Sequence, residues 1–293
     1  GEYVSDHRVR PGESVCISDG DSATEMKLPT DVEILNVAED LAFKAGKSIV
    51  EARQSQRLTL SYKDGVELLT SADLSADQLI RAGIESAFSD HLILSEESSP
   101  DLLDAGDMQA PLWIIDPIDG TVNYAYNQHQ VAVSIAFACE GVVRAGVVHC
   151  PFQGETFSAI RGKGARLNGT SIRAGECSEL ARALIGTGFP YDRDGRVALV
   201  DRLRTVLFAC RDIRRIGSAA VDICWVAMGR LDGYYETINP WDFAAAALVA
   251  REAGARFGHL CEVPEGQWPE LWGQELIVAA PGIYAALRDL LRD

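Results

Sequence analysis

Trp113-Ile114-Ile115-Asp116-Pro117-Ile118-Asp119-Gly120-Thr121-Val122-Asn123-Tyr124 is the stretch on which the reading of this chain turns. An apolar run leads straight into two carboxylates three positions apart, with a proline between them and Gly-Thr behind. That order predicts a buried strand ending in a charged turn that opens a helix. Pro117 holds the turn extended, so Asp116 and Asp119 can converge on one point. The amides of Gly120 and Thr121 would then lie at a helix N-terminus, where an anion is favoured. Carboxylates beside amide donors suit a divalent cation carrying a phosphate. Taken alone, Asp-x-x-Asp-Gly is more often an acidic turn that caps a helix.

Composition narrows the classes. A chain of 293 residues, 47% of them hydrophobic, can bury a sizeable core as one large domain or two small ones. Its formal charge of −16 argues against nucleic acid or an anionic membrane as the main ligand, because such binding needs clustered Lys and Arg. The same charge repels phosphorylated substrates, and a bound divalent metal is the simplest remedy. No window is long and apolar enough to span a bilayer, and Gly1-Glu2-Tyr3-Val4-Ser5-Asp6-His7-Arg8 lacks the regions of a signal peptide, so the expected compartment is the cytoplasm. Seven cysteines without CxxC spacing argue against a disulfide framework or a zinc site and fit a reducing compartment.

Working outward, residues 1–29 show no periodicity and read as an extension, with residues 30–293 as the folded domain. Thr30-Asp31 opens a helical pattern through Ile34, Leu41, Ala45 and Ile49 whose apolar face should pack on a sheet. Leu58 to Tyr62 reads as a strand, Lys63-Asp64-Gly65 as a turn, and Leu74 to Phe88 as a helix with Asp73 at its start. His91 to Leu94 is a short buried strand leading to the acidic pair Glu96-Glu97, followed by a polar loop from 98 to about 110. Val131 to Ala138, Val142 to His149 and Glu155 to Ile160 read as an antiparallel meander. Arg161-Gly162-Lys163-Gly164 lacks the Walker spacing and reads as a turn rather than a phosphate loop. From Ala183 strands and helices alternate: a strand at Leu184 to Thr187, a helix around Arg196 to Phe208, a helix from Gly217 to Met228, a strand at Gly233 to Glu236, and a helix from Asp242 to about Ala253. The pattern divides the domain into an antiparallel-sheet half, 30–180, and an α/β half, 181–293.

The Asp-Pro-x-Asp-Gly-Thr string resembles the first signature of the inositol monophosphatase family of Mg²⁺-dependent phosphatases, and Trp241-Asp242 followed by small residues resembles the second. By itself Asp242 is an ordinary acid in the first turn of a helix. Thr70-Ser71-Ala72-Asp73, Glu96-Glu97, Gly162 to Gly169 and Gly186-Thr187-Gly188-Phe189-Pro190-Tyr191 also look like family segments, so the resemblance runs from about residue 31 to the end. It implies a layered αβαβα sandwich of the inositol monophosphatase and fructose-1,6-bisphosphatase type, usually a homodimer. It further implies that Glu96, Asp116, Asp119 and Asp242, with the Ile118 carbonyl, hold two or three Mg²⁺ ions. Thr121 and Asp73 correspond to the family pair that orients and deprotonates the attacking water, with Glu96 beside them at the metal. Gly120 and Thr121, with the Ser218 and Ala219 amides, would meet the phosphate oxygens, and Glu236 and Asp242 the rest of the substrate. Lithium inhibition is expected on the same ground.

The chain departs from the family at Ser95, where a glycine is common before the acidic pair, and at Val122, where a threonine is usual. The connection Glu236-Thr237-Ile238-Asn239-Pro240-Trp241 is one residue shorter than in inositol-cleaving members. The expected activity is therefore hydrolysis of a small cyclitol or sugar phosphate, inositol 1-phosphate first. Histidinol phosphate, fructose 1,6-bisphosphate, NADP and 3′-phosphoadenosine 5′-phosphate are the rivals within the class. A regulatory binding protein is the rival outside it. His129 and His149 read as core or surface histidines, since hard cations prefer oxygen, and Cys224, Trp225 and Met228 as a buried helix face.

Overall fold

Thr30 and Glu33 cap each other: the Thr30 hydroxyl accepts the Glu33 amide at 3.2 Å and the Glu33 carboxylate accepts the Thr30 amide at 2.8 Å. This reciprocal cap starts helix α1 (Asp31–Gln54), in the computed structural model, which describes residues 29–55, 58–63, 67–102, 109–189 and 196–292. Strands β1 (Leu60–Lys63) and β2 (Glu67–Thr70) pair as an antiparallel hairpin leading into α2 (Ser71–Ala87). The helix begins three residues before the expected Leu74. Thr70 and Asp73 repeat the reciprocal cap, which makes Asp73 the third helical residue. β1 is likewise displaced from the expected 58–62.

The first large sheet contains β3 (Leu92–Ser95), β4 (Leu112–Asp119), β5 (Ala132–Cys139), β6 (Val142–Cys150), β7 (Glu155–Ile160), β8 (Ala165–Leu167) and β9 (Thr170–Ser171), in that spatial order. β3 and β4 run parallel and the remaining neighbours antiparallel, so the meander is as expected. The short helix α3 (Thr121–Ala125) follows β4. Gly162 and Gly164 both take positive φ, and their amides donate to the two oxygens of Glu252 at 2.8 Å each, so this turn clasps a carboxylate of its own chain.

The second sheet has the order β11 (Asp212–Arg214), β10 (Leu184–Thr187), β12 (Gly233–Glu236), β14 (Leu276–Ala279), β13 (Arg256–His259), parallel across β11-β10-β12 and antiparallel beyond. Its helices are α4 (Arg196–Ala209), α5 (Ala219–Ala227), α6 (Pro240–Glu252) and α7 (Pro281–Arg292). α5 starts two residues after the expected Gly217, and β2, β8, β9, β11, β13, β14 and α7 have no counterpart in the periodicity reading.

Three cores arrange these elements as five layers. Trp113 and Ile115 of β4 pack with Ile34, Leu41 and Ile80 of α1 and α2; Leu112 and Ile114, on the other face, pack with Val221, Phe243 and Val249 of α5 and α6. Ile185, Tyr235 and Ile277 of the second sheet meet Val206, Ile283 and Leu287 of α4 and α7. The order is helix, sheet, helix, sheet, helix, as expected. In the middle layer α6 buries Ala244 to Ala247. A Cβ added to Gly146 of β6 would come 2.9 Å from the Ala245 Cα, so helix and strand meet nearly backbone to backbone.

No described helix is long and apolar enough to cross a membrane. The expected extension (apart from Pro29), Asp64-Gly65, residues 103–108 of the polar loop, and Pro190-Tyr191 lie outside the described residues.

Candidate metal centre

In a regular strand, residues three apart face opposite sides. Asp116 and Asp119 escape this because Asp116 pairs with Ser134 and Asp119 with Ala132: three steps on β4 answer two on β5. The extra residue is a bulge at Pro117-Ile118, and Pro117, which has no amide to donate, is tolerated there. The Ile118 amide donates to Asp116 Oδ1 at 3.0 Å and fixes the turn. Gly120 then takes φ +98°, and a Cβ would stand 2.8 Å from the Gln130 carbonyl, so both conformation and space call for glycine.

α6 brings Asp242 to the same point. Its carboxylate accepts the Asn239 amide at 2.8 Å, so the ordinary capping role and the site role coexist. Carboxylate oxygens of Asp116, Asp119 and Asp242 lie within 4.8 Å of one another. A side-chain hydrogen bond joins Glu96 to Asp116. Burial, then the charges of Glu96, Asp119 and Asp242, push Asp116 well above the usual carboxylate range. Burial and Asp119 do the same to Asp242. Asp119 is pushed up to about 6 by burial, against the pull of the Ser218 hydroxyl, the Ala220 and Ala219 amides and Arg215. Acids so crowded cannot all ionise cheaply without a cation, and the all-oxygen donor set fits a hard divalent metal.

Ser218 and Ala219, expected at the phosphate oxygens, face Asp119. Ser218 Oγ donates to Asp119 Oδ2 at 2.6 Å, and the Ala220 amide donates to the same oxygen at 2.7 Å. The Ala219 amide is turned to Asp119 as well, so the start of α5 holds one of the expected metal ligands. Thr121 Oγ1 donates to Asp73 Oδ1 at 2.9 Å, joining the expected pair, and lies 3.1 Å from the Ile118 carbonyl. Burial raises Asp73, opposed by its hydrogen bonds from Thr70 and Thr121.

Three contributors escape the sequence reading. Lys63, on the β1–β2 hairpin, places Nζ 2.8 Å from Glu97 and 3.4 Å from Glu96. Ser95 is buried and donates to Asp77 of α2, while its oxygen accepts the Glu97 amide at 3.3 Å, so the residue in place of glycine holds the acidic turn. Asp222, in the first turn of α5, has only the signal of a helix cap in the sequence.

Asp119, Gly120, Ser218, Ala219, Glu236 and Asp242 line one cavity of about 220 Å³, with Thr187, Arg215 and Asp222 also on its wall. The shortened connection leaves Glu236 in this cavity. Glu236 accepts the Tyr234 hydroxyl, and burial raises it to about 7 against that bond and the nearby Arg215. His149 lies elsewhere, packed on Phe43 and bonded to Thr156, and His129 stacks on Phe152.

The inositol monophosphatase family model matches residues 31–291. Among curated proteins, an inositol-1-monophosphatase from Mycobacterium leprae is 43% identical over 180 residues, which is 60% of each chain. Nus factor SuhB from Pasteurella multocida is 39% identical over 173 residues, 58% of this chain and 63% of its own. The matched segments thus span less than two thirds of these relatives' length. The crystal structure of the extragenic suppressor protein suhB from Bartonella henselae superposes with a TM-score of 0.79 at 32% identity, covering 89% of this chain and 98% of that one. The five-layer fold, the bulged Asp116-Asp119 turn and the match over 31–291 agree: this chain belongs to the inositol monophosphatase family.

Proposed function

We propose that the protein is a Mg²⁺-dependent phosphomonoesterase acting on a small cyclitol or sugar phosphate, inositol 1-phosphate first among them. The convergence of Asp116, Asp119 and Asp242 within 4.8 Å carries this reading. Glu96, these three aspartates and the Ile118 carbonyl would hold the Mg²⁺ ions. Bound there, Mg²⁺ would neutralise the phosphate and act as a Lewis acid in its displacement. Thr121 Oγ1 donates to Asp73, which leaves the oxygen's lone pairs to orient a water, and Asp73 takes up the proton that the pair withdraws. The water attacks phosphorus, the bond to the alcohol oxygen breaks, a second water protonates that oxygen, and the hydroxide so formed takes back the proton held by Asp73. Gly120 and the Thr121 amide face the phosphate, and residues 30–180 and 181–293 act as one catalytic unit, in a homodimer.

The test is release of inorganic phosphate from cyclitol, sugar, histidinol and nucleotide phosphates with Mg²⁺ and after chelation. Release that needs Mg²⁺ is expected; no release from any of them refutes the reading. A regulatory role is the second reading, favoured by relatives named Nus factor SuhB. Retention of all four acids supports catalysis, since binding alone would not require them.

A further inference from the structure

Asp222 has no part in the chemistry above, yet it is expensive to keep. It is 2% exposed, and its Oδ1 has no hydrogen-bond partner among the described residues. A buried polar atom without a partner is strongly unfavourable, and packing alone would select an apolar side chain here.

The facing segment is hollowed out to receive it. Gly186 of β10 and Gly188 just beyond it are two apart and share a face, whereas Thr187 turns away and donates to the Tyr235 carbonyl at 2.8 Å. A Cβ on Gly186 would stand 3.0 Å from Asp222 Oδ1, and one on Gly188 would collide with the Glu236 carboxylate. The two glycines thus leave room for two acids, which stand on the wall of the cavity that also contains Asp119 and Asp242. Tyr234 already donates to Glu236, and the remaining carboxyl oxygens of the pair are left to offer.

The geometry points to a two-carboxylate subsite, Asp222 with Glu236, that accepts hydrogen bonds from paired donors, hydroxyl or ammonium, on the alcohol half of the substrate. This deepens the phosphatase reading and rests on it for the phosphate half. Two carboxyl groups on this wall, with Arg215 beside them, favour an alcohol half that presents hydrogen-bond donors.

The test compares kcat/KM for myo-inositol 1-phosphate and 4-nitrophenyl phosphate, with Mg²⁺, in the parent, in Asp222→Asn and in Gly186→Ala, whose methyl would press on Oδ1. The inositol preference should fall about tenfold or more in Asp222→Asn and fall also in Gly186→Ala. An unchanged preference, or an equal loss on both substrates, overturns the subsite. A second arm needs no turnover: thermal unfolding with myo-inositol or an aminodeoxyinositol. A rise in Tm that Asp222→Asn abolishes supports the subsite, and the more effective ligand tells hydroxyl from ammonium. Equal shifts in parent and variant, or no shift with either ligand, overturn it. A parent that hydrolyses neither substrate refutes the phosphatase reading, and the thermal arm then decides the subsite by itself.

Discussion

Raising the pH should withdraw what the Asp116, Asp119 and Asp242 cluster lends to the metal-free fold, and Mg²⁺ should restore it. Asp119 titrates at about 6 instead of 3.8 because burial outweighs the donors around it. A carboxyl whose pKa is raised by folding lends stability below its unfolded value and withdraws it as pH climbs through the folded one. The gap of about 2 pH units is worth on the order of 3 kcal/mol from Asp119 alone, withdrawn between about pH 4 and pH 6. Asp116 and Asp242 are pushed the same way and extend the window upward. In a chain of this size, ~3 kcal/mol moves Tm by roughly 6 °C. Mg²⁺ competes with protons for the same oxygens, so the Tm rise at fixed Mg²⁺ should grow from about pH 5 to about pH 8. Circular dichroism melts with chelator or with Mg²⁺ measure this directly. Asp119→Asn keeps an oxygen for Ser218 and Ala220, so its difference from the parent isolates the Asp119 contribution. The variant should melt higher than the parent without metal at about pH 8 and lose most of the Mg²⁺ response. A parent-minus-variant difference that does not change with pH, or a Mg²⁺ shift that is flat in pH, would refute the reasoning.

If the Thr121–Asp73 bond acts on the attacking water, Thr121→Ala should lower kcat by about two to four orders of magnitude with KM nearly unchanged; a raised KM with unchanged kcat makes Thr121 a binding residue. Glu96→Gln should reduce turnover far more than Glu97→Gln, since a side-chain hydrogen bond joins Glu96 to Asp116, and steady-state rates in saturating Mg²⁺ would expose a reversed order. His149 is held down to about 4 by burial. Its unfolded form takes up a proton first, so stability is full above about pH 6.5 and falls toward pH 4 by on the order of 3 kcal/mol. His149→Phe should flatten that acid limb in urea titrations, and an unchanged limb would place the acid sensitivity elsewhere.

The elements that could be read from the chain are those whose signal is local. The run Trp113 to Ile115 declares a strand by its burial, and Thr30 with Glu33 declares a helix start by their spacing. The bulge at Pro117-Ile118 could not be read, because it exists only in the register with Ser134 and Ala132. The commitment of Ser218 to Asp119 was hidden for a similar reason: the spacing allows a helix N-terminus there, but its occupant comes from a strand 99 positions away. Lys63 reaches Glu96 and Glu97 only through the fold of its hairpin. Asp222 looked like any acid in a first turn, and only its missing partner and the facing Gly186 distinguish it. Ser95 registered as a departure from the family glycine, with no hint that Asp77 would receive its hydroxyl.

Asp242 rides on α6 and Asp116 and Asp119 on β4, so the gap between them is the thickness of one helix-on-sheet contact. Methyl groups and the bare Gly146 backbone set that thickness, and the contact acts as a ruler for ionic radius. Mg²⁺ asks for oxygens at about 2.1 Å and Ca²⁺ for about 2.3–2.6 Å, a difference smaller than one methyl group. A larger residue at Ala245 would spread the ligands without touching any of them, and the site would drift toward the bigger ion. Discrimination between the two metals would in this sense be a property of interlayer packing, maintained by side chains that never contact the ion.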